Sequence, residues 1–241
     1  MEDDLSLTKI CVSIASSTPQ DLKEKIKRAF SYGADFVEIR FDFLMLADLE
    51  EALEIVKGIS NRAVFTLRSV KQKGKFTGNN EDRIFWFKQL SLIQPMLLDV
   101  ELETLLDDDE LVDFFSEQKT RILVSWHDFE KTPTNDELVD VLGQMRLYSN
   151  YVKVVTAAQR VHDCIRLLDL YDVTTELNLI SFAMGELGIL SRILCTIYGN
   201  APFTYAALEE AIAPGQPTIQ QMRKLYDRID LCSGKINARI I

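Results

Sequence analysis

The chain has 241 residues, of which 47% are hydrophobic and 27% are charged, a composition typical of a globular protein with a sizeable core. A formal charge of −10 argues against nucleic acid and against an anionic membrane as partners, because the overall field would repel both. Apolar runs stay well below the roughly 18 residues of a membrane span, and the acidic first residues lack the pattern of a signal peptide. We therefore predict a cytoplasmic location. The four cysteines are far apart, which disfavours a zinc site or a redox motif.

Short apolar runs alternate with longer amphipathic stretches along the chain. The runs predict strands at residues 10–15, 36–40, 63–67, 96–100, 122–126, 151–155, 177–183 and 202–205. The stretches predict helices at residues 19–32, 49–59, 81–93, 109–118, 135–148, 158–171, 189–198 and 219–228, with Thr18 and Asn135 as N-caps. Eight such units predict a (β/α)8 TIM barrel, with a doubly wound open sheet as the alternative. The first strand is not followed by Gly-x-Gly-x-x-Gly, which disfavours dinucleotide binding.

Polar residues recur at or just beyond the ends of the predicted strands. In a barrel these positions converge on one mouth. Charged side chains inside a barrel are costly unless they are paired or bind a ligand, so the set predicts a functional site. Its members are Ser13, Glu38, Arg40, Arg68, Glu101, His127 and Lys153. Glu101 either orients polar groups inside the barrel or balances charge, and we leave it outside the predicted site.

Two of these residues can carry out proton chemistry. Lys153 lies among valines, where a solvated ammonium would be costly, and His127 follows an apolar run. A neutral lysine can attack a ketone, and a nearby histidine can then move the adjacent proton. A structural histidine and a lysine that reaches the surface are the alternatives for each residue alone. Their positions on successive strands favour imine chemistry.

The chain resembles type I 3-dehydroquinate dehydratases over nearly its whole length. The resemblance rests on Val-Glu-Ile-Arg at 37–40, Phe-Thr-Leu-Arg-Ser at 65–69, Asp-Val-Glu-Leu at 99–102, Ser-Trp-His-Asp-Phe at 125–129, Val-Lys-Val at 152–154, Ser-Arg at 191–192 and Ala-Pro-Gly-Gln at 213–216. It implies a (β/α)8 barrel without metal or cofactor. It also implies a lyase of the shikimate pathway that converts 3-dehydroquinate to 3-dehydroshikimate.

The resemblance also implies roles for individual residues. Lys153 would form the Schiff base, and His127 would be the general acid and base. Arg192 would hold the substrate carboxylate, with help from Ser13 and Gln216. The remaining binding residues would be Glu38, Arg40 and Arg68. Nearby arginines and burial would help to keep some Lys153 as the free amine.

Two positions depart from the family pattern. Gln72 lies where a glutamate usually pairs with the catalytic histidine, and Ile212 replaces a serine that contacts substrate in many relatives. An amide can orient an imidazole but cannot stabilise its protonated form electrostatically. One alternative is therefore a weakly active or ligand-binding scaffold barrel within a fusion enzyme. A Schiff-base aldolase on the same fold would share the lysine, but the His-Asp-Phe and Ala-Pro-Gly-Gln segments do not support it.

The C-terminal residues suggest a domain boundary. We predict that residues 1–229 form the barrel and that residues 230–241 are a tail or the start of a linker. The strand-like Ala-Arg-Ile-Ile at 238–241 resembles the junction of fused dehydratase and shikimate dehydrogenase chains. The expected partners are the small anionic substrate and either a second copy in a homodimer or a fused dehydrogenase domain.

Overall fold

The computed structural model describes residues 8–237, with side chains as far as residue 229. Within this range the parallel strands form one eight-stranded sheet in the order β7-β6-β5-β4-β3-β2-β1-β8, which curves into a nearly closed barrel. The predicted (β/α)8 TIM barrel is therefore confirmed. The strands are β1 (Ile10–Ala15), β2 (Phe36–Arg40), β3 (Ala63–Thr66), β4 (Leu97–Glu101), β5 (Ile122–Asp128), β6 (Tyr151–Ala157), β7 (Asn178–Met184) and β8 (Thr204–Ala207).

Helices connect successive strands and cover the outside of the barrel. They are α1 (Pro19–Ser31), α2 (Leu49–Val56), α3 (Asn80–Leu92), α4 (Leu102–Asp107), α5 (Asp109–Glu117), α6 (Asn135–Met145), α7 (Val161–Val173), α8 (Ile189–Ile197) and α9 (Ile219–Asn237). Eight of them correspond to the predicted helices. The short helix α4 was not predicted, because one and a half turns do not show a helical period.

Capping residues account for several helix starts. The hydroxyl of Thr18 accepts a hydrogen bond from the backbone of Asp21 at 3.2 Å, as predicted. The prediction that Asn135 caps α6 is wrong by one residue. Thr134 is the cap, and Glu137 completes a reciprocal capping box with it.

The alternation along β2 directs its polar residues into the barrel. Val37 and Ile39 are fully buried in the hydrophobic layer that includes the helices, whereas Glu38 and Arg40 line an internal cavity. Because side chains alternate across a strand, this arrangement follows directly from the sequence. Glu38 and Arg40 therefore point in the same direction, towards the cavity.

The barrel has an open seam between β7 and β8. These two strands are not hydrogen-bonded to each other within the described range, whereas β8 pairs with β1. The guanidinium of Arg192, from α8, lies at this seam. Its Nη1 donates to the carbonyl of Tyr205 on β8 at 3.4 Å, and its Cζ lies 4.1 Å from the ring centroid of Phe182 on β7. The seam thus brings a helix residue to the barrel interior.

The last helix is longer than the sequence predicts. Helix α9 continues to Asn237 instead of ending at Arg228, and no proline interrupts this stretch. The predicted domain boundary between residues 229 and 230 falls within this helix. The predicted strand-like segment 238–241 lies outside the described residues. None of the helices described is long and apolar enough to span a membrane.

Candidate active site

A cavity of about 320 Å³ opens at the carboxyl ends of the strands. This volume is sufficient for a small metabolite. The structure brings together at this cavity all the side chains that the sequence predicts for the site, namely Ser13, Glu38, Arg40, Arg68, His127, Lys153, Arg192 and Gln216.

Lys153 lies on β6 and is only 4% exposed. Its ammonium forms an ion pair with Asp99 of β4 and lies 3.8 Å from Glu38. A buried ammonium requires a compensating charge, which these two carboxylates on neighbouring strands supply.

Asp99 is the centre of a buried polar network. It accepts hydrogen bonds from Arg68 at 2.6 Å and from the Ser125 hydroxyl at 2.7 Å, in addition to its ion pair with Lys153. Burial alone would raise the pKa of Asp99, but the charges of Arg68 and Lys153 hold that pKa far below its usual value. Asp99 therefore stays ionised and orients both cations.

Glu101 supports this network from outside the cavity. It accepts a hydrogen bond from the backbone of Ser69 at 2.9 Å and forms an ion pair with Arg83 of α3. Arg83 also donates to the carbonyl of Leu67 at 3.0 Å. Glu101 thereby fastens the segment that carries Arg68, and it does not line the cavity.

The two polar residues of β2 have different partners. Glu38 accepts a hydrogen bond from the Thr66 hydroxyl at 3.0 Å. Arg40 forms two hydrogen bonds of 2.8 Å with Asp42. Since both charges are partly compensated within the protein, these side chains are held in fixed positions around the cavity.

His127 faces the cavity near the end of β5 and stacks on Phe129 with a centroid separation of 5.5 Å. Burial and the positive charges of Arg68 and Lys153 lower the pKa of His127 well below its usual value. Its buried Nδ1 atom has no hydrogen-bond partner among the described residues. The imidazole is therefore neutral near pH 7 and able to accept a proton.

The loop after β3 forms one wall of the cavity. Gln72 lines it, and its buried Oε1 atom has no hydrogen-bond partner in the described part of the chain. Lys73 has a left-handed backbone, with φ of 57°, and its ammonium lies 4.4 Å from the ring centroid of Phe129. A side chain at Gly74 would overlap the backbone of Arg68, so this turn requires glycine.

Arg192 is a buried cation without a counter-ion. It is 2% exposed, and no carboxylate forms an ion pair with it within the described side chains. Arg40, Arg68 and Arg83, by contrast, each contact a carboxylate. Burial lowers the pKa of Arg192 to about 10, so it still carries its charge at neutral pH. Such a group is suited to binding an anionic ligand.

The loop after β8 covers part of the opening. The amide of Gln216 donates to Ser13 at 3.4 Å, and its oxygen accepts from the backbone of Ile212 and Ala213 at 3.2 and 3.3 Å. Gly185 donates its N–H to the carbonyl of Pro214 at 3.0 Å. This contact fixes the loop against the end of β7.

Asp99 and Tyr205 belong to the cavity region, although the sequence patterns did not assign either of them to the site. Asp99 lies two residues before Glu101 in an apolar run, and alternation along β4 could have shown that it points inward. Tyr205 lies on β8, whose sequence signal is weak because the strand has only four residues. Groups of histidine, cysteine or acidic residues that could hold a metal ion do not occur among the described residues.

The sequence profile of the type I 3-dehydroquinase family matches residues 10–231. The chain belongs to this family. The 3-dehydroquinate dehydratase of Thermococcus onnurineus is 33% identical over 215 residues, which cover 89% of this chain and 95% of the relative. The predicted enzyme class, a carbon–oxygen lyase, and its place in the shikimate pathway of aromatic amino-acid biosynthesis are therefore confirmed.

Solved structures show the same architecture. The type I 3-dehydroquinate dehydratase of Clostridium difficile, determined with covalently modified comenic acid, superimposes with a TM-score of 0.80 at 26% identity, covering 92% of each chain. The dehydroquinate dehydratase and shikimate dehydrogenase structure from S. pombe gives a TM-score of 0.72 at 22% identity, covering 90% of this chain and 44% of that one. The second likeness shows the fold alone, so a fused domain and a homodimer remain predictions.

Gly215→Ala tests the docking of the loop after β8. The residue has φ of 70°, and an added Cβ would overlap the carbonyl of Gly185. We expect kcat/KM for 3-dehydroquinate to fall by about 10²-fold, because a displaced loop misplaces Gln216 relative to the ligand. Steady-state kinetics and thermal unfolding would measure this.

Gly143→Ala is the matched control for that variant. Gly143 lies within α6, has no atom close to its missing Cβ, and is far along the chain from the loop. We expect normal kinetics and a gain of about 1 kcal/mol from the better helix former. Equal activity of the Gly215 variant and the wild type would show that loop docking is unimportant.

Proposed function

We propose that this chain dehydrates 3-dehydroquinate to 3-dehydroshikimate through a Schiff base on Lys153. One observation carries the proposal: a buried lysine, a neutral histidine with an unpaired nitrogen and an unpaired buried arginine line the same cavity. The family membership supplies the reaction. The covalently modified ligand in the C. difficile neighbour supports a covalent route.

The first step is attack of the Lys153 amine on the ketone carbon. The ammonium gives a proton to the neutral imidazole of His127, leaves its ion pair with Asp99 and adds to the carbonyl, and His127 then returns this proton to the departing oxygen. Loss of water from the resulting carbinolamine gives an iminium. This cation lies beside Asp99 and Glu38, whose negative charges stabilise it in place of the ammonium.

His127 then acts as the base and the acid. The iminium draws electrons from the adjacent carbon, so a neutral imidazole can remove its proton. The electron pair expels the hydroxyl group on the next carbon, and the imidazolium returns the proton to it, which releases water. Hydrolysis of the iminium frees the product and restores the lysine. The lowered pKa of His127 favours the neutral form that starts this cycle.

Arg192 is proposed to hold the substrate carboxylate. It is the buried cation that lacks a carboxylate partner in the described structure, and a substrate anion would supply one. Ser13, Gln216, Glu38, Arg40 and Arg68 would surround the hydroxylated ring. We keep the cytoplasm as the proposed compartment because the scattered cysteines suit a reducing environment.

The first prediction concerns the covalent intermediate. Borohydride added during turnover of 3-dehydroquinate should reduce the imine and leave a stable adduct on Lys153, which peptide mass spectrometry would locate. Lys153→Ala should abolish both the adduct and turnover. Lys73→Ala, which changes another lysine at the cavity, should still form the adduct. Turnover without modification of Lys153 would refute the mechanism, and an adduct without turnover would favour the ligand-binding scaffold.

The second prediction concerns Gln72. A carboxylate introduced by Gln72→Glu into the same cavity should raise the pKa of His127, because a negative charge favours the imidazolium. A base must be unprotonated, so the acid limb of the kcat/KM profile should move to higher pH. NMR titration of His127 would report the same shift. Gln144→Glu adds the same charge on the exposed face of α6 and should leave both measurements unchanged.

The third prediction separates binding from stability at Arg192. Arg192→Met removes a buried charge that has no carboxylate partner among the described residues, so the free energy of unfolding should not fall. Affinity for the anionic substrate should fall at least about 30-fold, because a buried ion pair with the ligand is lost. In contrast, Arg83→Met removes the closer of the two arginines that pair with buried Glu101, the other being Arg68 at 3.6 Å, and should cost about 3–5 kcal/mol. Normal KM in Arg192→Met would place the carboxylate elsewhere.

A further inference from the structure

Tyr205 has a buried hydroxyl group that finds no hydrogen-bond partner in the part of the chain described. The residue is 4% exposed, lines the cavity, and makes no hydrogen bond through its hydroxyl within the described chain. Buried tyrosine hydroxyls are normally hydrogen-bonded, because an unpaired one loses its interactions with water and gains none in return. The exception at Tyr205 therefore requires an explanation.

Two other tyrosines show that this fold satisfies such groups elsewhere. The Tyr171 hydroxyl accepts a hydrogen bond from the Ser181 N–H at 2.7 Å and donates to the Ser181 carbonyl at 3.1 Å. The Tyr226 hydroxyl lies 3.1 Å from the Thr196 hydroxyl and donates to the Ile193 carbonyl at 3.1 Å. Neither of them lines the cavity. The unpaired hydroxyl thus coincides with a position where a ligand can reach it.

Tyr205 is held between the two groups that are proposed to bind the ends of the ligand. The Lys153 ammonium lies 5.0 Å from its ring centroid, and its carbonyl accepts the hydrogen bond from Arg192. Its ring packs against Phe203 and Phe182, with centroid separations of 5.5 and 6.1 Å. These contacts fix the direction of the hydroxyl before any ligand binds.

We propose that Tyr205 is a substrate-contacting residue whose hydroxyl donates a hydrogen bond to an oxygen of the hydroxylated cyclic carboxylate held by Lys153 and Arg192. The inference rests on the proposed function of these two residues. Burial raises the pKa of Tyr205 well above its usual value, so the phenol keeps its proton and acts as a donor. A donor that is otherwise unpaired favours ligands with oxygen at this position and disfavours analogues without it.

The test is Tyr205→Phe, which removes one oxygen atom and keeps the ring. We expect kcat/KM for 3-dehydroquinate to fall and the Kd for the product 3-dehydroshikimate to rise, each about 3- to 10-fold, as for the loss of one hydrogen bond. The thermal unfolding midpoint of the ligand-free protein should stay the same or rise, since no internal hydrogen bond is lost. The borohydride adduct on Lys153 should still form.

Tyr226→Phe is the matched control. It removes a hydroxyl that is bonded within the protein, so it should lower the unfolding midpoint and leave kcat/KM and Kd unchanged. If the wild-type protein turns over and Tyr205→Phe has the same kinetics and the same Kd, the inference is overturned. A lower unfolding midpoint of Tyr205→Phe with unchanged ligand binding would also overturn it. A different outcome is that the wild-type protein forms no adduct and shows no turnover, while Tyr205→Phe still binds the product more weakly than the wild type. That result would refute the proposed reaction and leave the inference about Tyr205 standing.

Discussion

The ion pair between Lys153 and Asp99 is the contact on which the interior of this barrel depends. A lysine buried this deeply is tolerated because a carboxylate two strands away neutralises it, and that carboxylate is held in turn by Arg68 and Ser125. Removing one partner of such a buried pair typically costs about 3–5 kcal/mol. The network therefore links the segments of β3, β4, β5 and β6 into one arrangement and holds the Lys153 amine in a single position.

The same interior also contains polar groups that have no partner within the described chain. Four of the residues that carry such groups, Gln72, His127, Arg192 and Tyr205, line the cavity. Buried polar groups are normally satisfied, so leaving them unpaired costs stability in the free protein. Because a bound ligand can satisfy them, this cost becomes part of the binding energy. The charge network thus stabilises the arrangement of the strands, whereas the unpaired groups can be satisfied by a bound ligand.

The open seam of the barrel explains how a helix residue reaches the site. A strand pair closed by backbone hydrogen bonds would exclude a guanidinium, whereas the gap between β7 and β8 admits that of Arg192 from α8. The adjoining loop depends on glycine for a related reason. Gly215 has a left-handed backbone and lies against Gly185 without room for a side chain. On this side, the cavity is therefore bordered by backbone segments that pack closely against each other.

Local sequence patterns determined much of this protein. Alternating apolar runs and amphipathic stretches predicted the barrel, and strand-end positions predicted that Glu38, His127 and Lys153 would meet, because parallel strands end on one face. The tertiary structure alone decided which charges touch. It placed the Asp99 carboxylate against the Lys153 ammonium, left Arg192 without a carboxylate partner among the described residues, and put Tyr205, with its unpaired hydroxyl, in the cavity wall. Pairing across strands depends on register and on the sterics of neighbouring side chains, and these are properties of the assembled barrel that no local period encodes.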